Sequence, residues 1–263
     1  MMKSRDNWGW QGRIGMFIVS SEAVPEAEWW AMMPEGCSVH AARVASSTPW
    51  ATWRADGSDV DLAADLARGA EQFASMQLSA VVLGHSSSGF VGGTGWDAAT
   101  VQALSEILGP DIAVTTNGLD SFAALKASGI ERPFLVLPPW FNAATVDKGL
   151  GYFRDNGVTL SGHLQYDPGP GWRDVPPGDM YRRGMGFAQE IEPLYRQIRA
   201  ACPDQADGVL IAGTGFRCVG IIDTLERDLG RPVLTANQVS LWNCLRLSGV
   251  RARVEGYGRL FTL

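Results

Sequence analysis

The stretch AVVLGHSSSGFVGG (80–93) leads through a helix-like run to DIAVTTNGLDSFAALKASGI (111–130), and GVLIAGTGFRCVG (208–220) leads in the same way to RPVLTANQVSLWNCLRLSGV (231–250). Each block reads strand, small-residue loop, helix, strand, and then Thr-x-Asn opening a further helix. Asn117 and Asn237 correspond, as do His85 and Gly213. Continuous apolar strands that alternate with helices predict parallel sheets covered on both faces. A duplicated α/β unit places a ligand in the crevice beyond the carboxyl ends of its strands. The repeat therefore brings His85 and Gly213 to face each other across one small cleft, with open space expected at Gly213.

Outward from these blocks the alternation continues. Strands are expected at 13–20, 38–44, 80–84, 112–116, 134–137, 159–164, 208–212 and 233–235, and helices at 60–76, 98–108, 122–127, 144–156, 181–201, 220–229 and 239–247. The segment 166–179, rich in Pro, Gly and Asp, reads as a long loop able to cover a site. The halves are expected to interleave, with 1–117 plus 238–263 forming the first and 118–237 the second.

Composition bounds the function. The 263 residues carry a formal net charge of −6 and are 46% hydrophobic, enough to bury a core without disulfides or metal. The acidic balance argues against nucleic acid as a partner. No apolar run approaches a membrane span, and no apolar segment follows the first Met, so a cytoplasmic location is expected. Cys37, Cys202, Cys218 and Cys244 lack paired spacing and are expected as reduced thiols. Three scattered histidines, His40, His85 and His163, offer no metal-ligand spacing.

His85 is the strongest candidate for chemistry. It ends a buried strand just before Ser86, Ser87 and Ser88, where an imidazole can act as general acid or base. The bland alternative is a histidine that only bonds loop carbonyls, and His40 and His163 are read that way. GHSSSG also resembles a nucleophile elbow with Ser86 as nucleophile, although Ser88 stands where the strained turn needs glycine. GTGFRC (213–218) is an incomplete dinucleotide fingerprint, with no acidic residue where a ribose needs one; a nest of N–H groups for a carboxylate fits better. Cys218, near a helix start, has a potentially lowered thiol pKa, against the commoner reading of a buried structural cysteine. The Trp29, Trp30, Met32, Met33 cluster reads as core or interface packing.

Several segments together resemble the maleate isomerase and arylmalonate decarboxylase branch of the aspartate/glutamate racemase superfamily. IVSSEAVPEAEWWAMMPEGCSVHAARV (18–44) is similar to that branch's first strand, its P-S-S-N loop and the E-x-E-x-W stretch after it. LGHSSSGFVGG (83–93) matches the loop that reads G-C-T-S-G-S, and LVLPPW (135–140) takes the place of T-P-Y. Residues 211–250 resemble the stretch from S-C-T-N-L-R-T to S-N-Q-x-x-x-W-x-x-L-R. The resemblance implies an α/β fold of two pseudo-symmetric parallel-sheet halves, with the active site in the cleft between them. It also implies a homo-oligomer and chemistry that needs no metal or organic cofactor.

In that branch the two loops carry the catalytic thiols. Here the first thiol position is His85 and the second Gly213, while Glu22 replaces the P-S-S-N asparagine and Trp140 the T-P-Y tyrosine. What the resemblance leaves is an anion-binding apparatus: Ser20, Ser21, Ser86, Ser87, Thr116, Asn117, Gly213, Thr214, Gly215 and Asn237. The expectation is a cofactor-independent isomerase or lyase for a small carboxylate or carbonyl compound, with His85 moving a proton on one face and Glu22 as second acid/base. A hydrolase, by ring opening or through Ser86, and a non-catalytic carboxylate-binding homologue are the competing classes.

Overall fold

A computed structural model of the chain describes residues 6–263. Its strands are β1 (Gly12–Val19), β2 (Cys37–Val44), β3 (Ala51–Trp53), β4 (Val60–Leu62), β5 (Ala80–Leu83), β6 (Ala113–Thr116), β7 (Pro133–Leu137), β8 (Gly162–Gln165), β9 (Gly208–Ile211) and β10 (Val233–Thr235). The helices are α1 (Val24–Met32), α2 (Ala64–Ala74), α3 (Ser86–Gly92), α4 (Trp96–Leu108), α5 (Asn117–Ala127), α6 (Ala143–Asp155), α7 (Pro177–Met180), α8 (Met185–Ala188), α9 (Ile191–Ala201), α10 (Ile222–Leu229) and α11 (Ala236–Leu247). No helix among the described residues is long and apolar enough to cross a membrane.

Two four-stranded sheets carry the fold, in the orders β2-β1-β5-β6 and β10-β9-β7-β8. Every pairing within them is parallel. Counting the main strands of each half from its own first, β1 and β7, both sheets follow the order 2-1-3-4. The sequence repeat is thus a topological repeat: 80–93 and 208–220 hold the third strands, and 111–130 and 231–250 the fourth. β5, β7 and β9 are buried along their whole length, as strands covered by helices on both faces must be. In the 2-1-3-4 order the connections diverge between the first and third strands, which opens a crevice at their carboxyl ends.

Local departures from the expected elements have physical causes. Val60–Leu62 leaves the expected helix 60–76 to pair antiparallel with Ala51–Trp53. The expected helix 181–201 is broken because Gln189 adopts an extended backbone and spends both ends of its amide on the loop after β9, donating to Arg217 O at 2.7 Å and accepting from Arg217 N at 3.1 Å. The loop read after β5 is instead the short helix α3. A further helix, α1, forms over the tryptophan-rich stretch and buries Trp29 and Met32, leaving Trp30 40% exposed.

Candidate functional site

Four strand-end loops converge on a cavity of about 450 Å³. The loop after β1 contributes Ser21 and Glu22, and the one after β5 contributes His85, Ser86 and Ser87. Trp140 and Phe141 follow β7, while Gly213, Thr214 and Gly215 follow β9. These are the loops after the first and third strands of the two sheets, so the repeated topology itself makes the pocket. Among the described residues no Lys, Arg or Cys side chain lines it. Among the described residues no group of three His, Cys, Asp or Glu side chains is placed to hold a metal ion.

His85 lies in the wall, its ring stacked on Trp50 with centroids 4.1 Å apart and planes 23° from parallel. Both ring nitrogens are occupied: Nδ1 is 2.8 Å from Ser88 Oγ and Nε2 is 2.8 Å from Ser87 Oγ. Burial pushes its pKa down to about 3. The imidazole keeps part of its surface in the cavity, and among the described residues no carboxylate contacts it to support a positive charge. With its pKa pushed down and both nitrogens engaged, His85 is a weak base in this arrangement.

Glu22 is the group whose protonation suits acid/base work near neutrality. It is 6% exposed, and burial pushes its carboxyl up to about 8, against smaller opposing effects of Thr214 and Arg43. Thr214 Oγ1 reaches Gly84 O at 3.0 Å and Glu22 Oε2 at 3.4 Å. A hydroxyl has one hydrogen, and the shorter contact takes it. The longer contact to Glu22 Oε2 is therefore the weaker one, in keeping with the small opposing effect of Thr214 on the carboxyl. The carboxyl packs directly on the loop after β9, since a Cβ on Gly215 would meet Glu22 Oε1 at 2.5 Å.

Gly213 is not a vacant slot. Its φ is +97°, and a Cβ there would meet Pro138 Cγ at 2.9 Å, which corrects the expected open space. Its N–H donates to Ser86 Oγ at 3.2 Å. Ser86 in turn donates to Asn117 Oδ1 at 2.6 Å. The Ser86 proton therefore points at an amide oxygen rather than a histidine, and the Ser86 nucleophile has no base.

Four residues expected to bind substrate do not line the cavity. Ser20 is exposed and absent from the wall. Thr116 caps α5, accepting from Leu119 N, and donates to Asp97. Asn117 Nδ2 bridges to Ala236 O and Ser240 Oγ, joining α5 to α11. Asn237 Nδ2 donates to Thr214 O at 2.8 Å and to Glu28 Oε2 at 2.7 Å. Full burial forces such side chains to satisfy the backbone around them, so they hold the loops rather than a ligand.

Glu28, which sequence reasoning left without a role, completes that scaffold. From α1 its Oε1 accepts the N–H groups of Cys218 and Val219 at 2.6 and 3.0 Å. Burial raises its pKa to about 7. Replacing Glu28 by alanine strands three buried donors, and the expected loss is about 2–4 kcal/mol, read as a lowered denaturation midpoint at pH 5, where the buried carboxyl is protonated and its ionisation adds no opposing cost. An unchanged midpoint would mean the loop does not depend on this carboxyl. Cys218 itself is buried, donates Sγ–H to Phe216 O, and has its thiol pushed well above the ordinary value by burial. Low-pKa thiol chemistry at Cys218 is thereby contradicted. All four cysteines are free.

Other lining residues were missed. Gly178 and Tyr181 come from the segment beyond β8, so that covering loop reaches the cavity through its later part. Tyr181 OH donates to Gly215 O at 3.2 Å, and its ring meets Trp140 edge-on at 4.9 Å. Thr48, Val91 and Thr145 also line the wall. The Pro/Gly-rich composition signalled the cover, but nothing in the sequence pointed to the particular side chains.

Comparison with known proteins follows the geometry. The family model for arylmalonate decarboxylase matches residues 187–261. The arylmalonate decarboxylase of Bordetella bronchiseptica is 40% identical over 62 residues, which is 23% of this chain and 25% of that protein. The matched stretch thus spans a quarter of that relative. The maleate isomerase Iso of Pseudomonas putida superposes with a TM-score of 0.77 at 18% identity, covering 95% of this chain and 98% of that one. The maleate cis-trans isomerase of Nocardia farcinica bound to TRIS gives 0.77 at 20%, covering 95% and 97%, and an arylmalonate decarboxylase crystal structure gives 0.69 at 21%, covering 95% and 99%. The fold is the α/β, parallel-sheet fold of these structures.

Proposed function

We propose that this chain belongs with the arylmalonate decarboxylases and maleate isomerases and is a cofactor-independent isomerase or lyase acting on a small carboxylate or carbonyl compound by proton transfer without a thiol. The carrying observation is the cavity wall: one buried, neutral carboxyl at Glu22 beside hydroxyl and amide donors, with no cysteine in the lining. The N–H groups of Thr214 and Gly215 take no partner among the described residues, and with Ser21 and Ser87 they suit a carboxylate or a developing enediolate. Protonated Glu22 gives the proton to carbon, and its carboxylate form takes one from carbon, on a single face; His85 acts as a hydrogen-bonding group. A solved relative holds maleate, which supports a small carboxylate as the ligand class. The absence of any lining cation and the apolar surfaces of Trp140, Phe141 and Val91 favour a substrate with one anionic end. In this reading the halves divide at 117/118 and 237/238, and the protein works as a cytoplasmic homo-oligomer.

The test is solvent exchange. Incubation in D₂O with a panel of arylmalonates, maleate and α-substituted monocarboxylates is expected to deposit deuterium at the carbon next to a carboxylate or carbonyl. Binding without exchange or turnover across the panel would instead support a carboxylate-binding homologue. A serine hydrolase predicts covalent labelling by a fluorophosphonate; none is expected at Ser86, whose proton is directed to Asn117, and recovery of a labelled Ser86 peptide would reverse that reading.

A further inference from the structure

The geometry points to His85 as a fixed neutral relay, protonated at Nε2, that orients and polarises the Ser87 hydroxyl towards the cavity. The chain of contacts starts at the backbone. Trp50 N–H donates to Ser88 Oγ at 3.0 Å, Ser88 Oγ lies 2.8 Å from His85 Nδ1, and His85 Nε2 lies 2.8 Å from Ser87 Oγ.

The direction of the chain follows from counting hydrogens. A serine hydroxyl has one hydrogen and two lone pairs. Ser88 is fully buried, and the Trp50 N–H already uses one of its lone pairs. Its own hydrogen has a single acceptor among the described residues, His85 Nδ1. In the opposite arrangement Nδ1–H would donate to Ser88, and the Ser88 hydrogen would be buried without a partner, which folded proteins avoid. Nδ1 therefore accepts, Nε2 carries the hydrogen, and Nε2–H donates to Ser87 Oγ.

Ser87 ends the chain. Its hydroxyl hydrogen meets no acceptor within the described protein, and the residue lines the cavity. A run of aligned hydrogen bonds strengthens its last donor, so the cavity receives a preorganised O–H. Stacking on Trp50 holds the imidazole plane. Burial without a neighbouring carboxylate keeps the ring uncharged. Such a terminus presents its O–H to an oxygen with lone pairs.

The ligand class rests on the proposal that the cavity takes a small carboxylate; the tautomer does not. Long-range ¹H–¹⁵N correlation on ¹⁵N-labelled protein at pH 7 is expected to show His85 as the Nε2–H form, with His85→Gln identifying its signals among the three histidines. An Nδ1–H form or an imidazolium overturns the relay. Phenylacetate, a monoanion with an apolar end, is the binding probe: it is expected to shift the His85 Nε2–H signal, and Ser87→Ala is expected to weaken it about tenfold, as loss of one charge-assisted bond implies. Phenylacetate binding of equal strength in Ser87→Ala, or none to the wild type, overturns the polarised donor at Ser87. Failure of deuterium exchange alone would count against the reaction and leave the relay standing.

Discussion

Glu22→Gln is expected to lower deuterium incorporation and turnover of any substrate found by about 10²–10⁴-fold, the usual contribution of a positioned acid or base, while making the protein more stable. The two effects share one cause. The carboxyl is buried at 6% exposure with its pKa raised to about 8 from 4.5, so the fold favours the protonated form. Below pH 4.5 both folded and unfolded chains hold that proton, and full stability is present. As pH rises from 4.5 towards 8 the unfolded chain ionises first, and stability is lost through that window. Glu28 and Asp120, each raised to about 7 by burial, act with the same sign. An amide of the same shape removes the Glu22 contribution, for an expected gain of about 1–3 kcal/mol at pH 8. Thermal melts at pH 5 and pH 8.5, run beside the exchange assay, check it: a variant that keeps activity, or one as pH-sensitive in stability as the wild type, removes Glu22 from the proton-transfer role.

Gly213→Cys is expected to fail as a restoration of thiol chemistry. In the resemblance drawn from sequence this position carries the second thiol, and substitution back is the obvious repair. The backbone forbids it at low cost. A φ of +97° is strained for any residue with a Cβ, and that Cβ would sit 2.9 Å from Pro138 Cγ, on a ring with little freedom to move. A loss of about 2–4 kcal/mol is expected, together with a displaced Gly213 N–H and a weakened bond to Ser86. His85→Cys lies at an extended backbone (φ −145°) and has no such obstacle, so it serves as the control. Denaturation midpoints, and a thiol titration of folded protein, distinguish the two. A stable Gly213→Cys protein with a newly reactive thiol would show that the loop adapts.

These expectations separate what composition and pattern carry from what packing decides. The repeat at 80–130 and 208–250 prescribed two matching parallel sheets, because continuous apolar strands and helical spacing are local properties of the chain. It also brought His85, Ser87 and Gly213–Gly215 to one neighbourhood, since loops after corresponding strands meet at a topological switch point, while Glu22 and Trp140 were marked only by the resemblance. Proton affinity is another matter. It depends on how much water each group loses and on which partners surround it, and those come from distant residues: Trp50 under the imidazole, Thr214 and Gly84 beside Glu22, Pro138 against Gly213. Glu28 had only a resemblance to mark it, since its partners at 218, 219 and 237 lie about 190 residues or more along the chain. Sequence alone determined the architecture and where the cleft lies. Tertiary structure decided which carboxyl keeps its proton, which histidine stays neutral and which glycine cannot be replaced, because desolvation and close contact exist only once the two halves have packed.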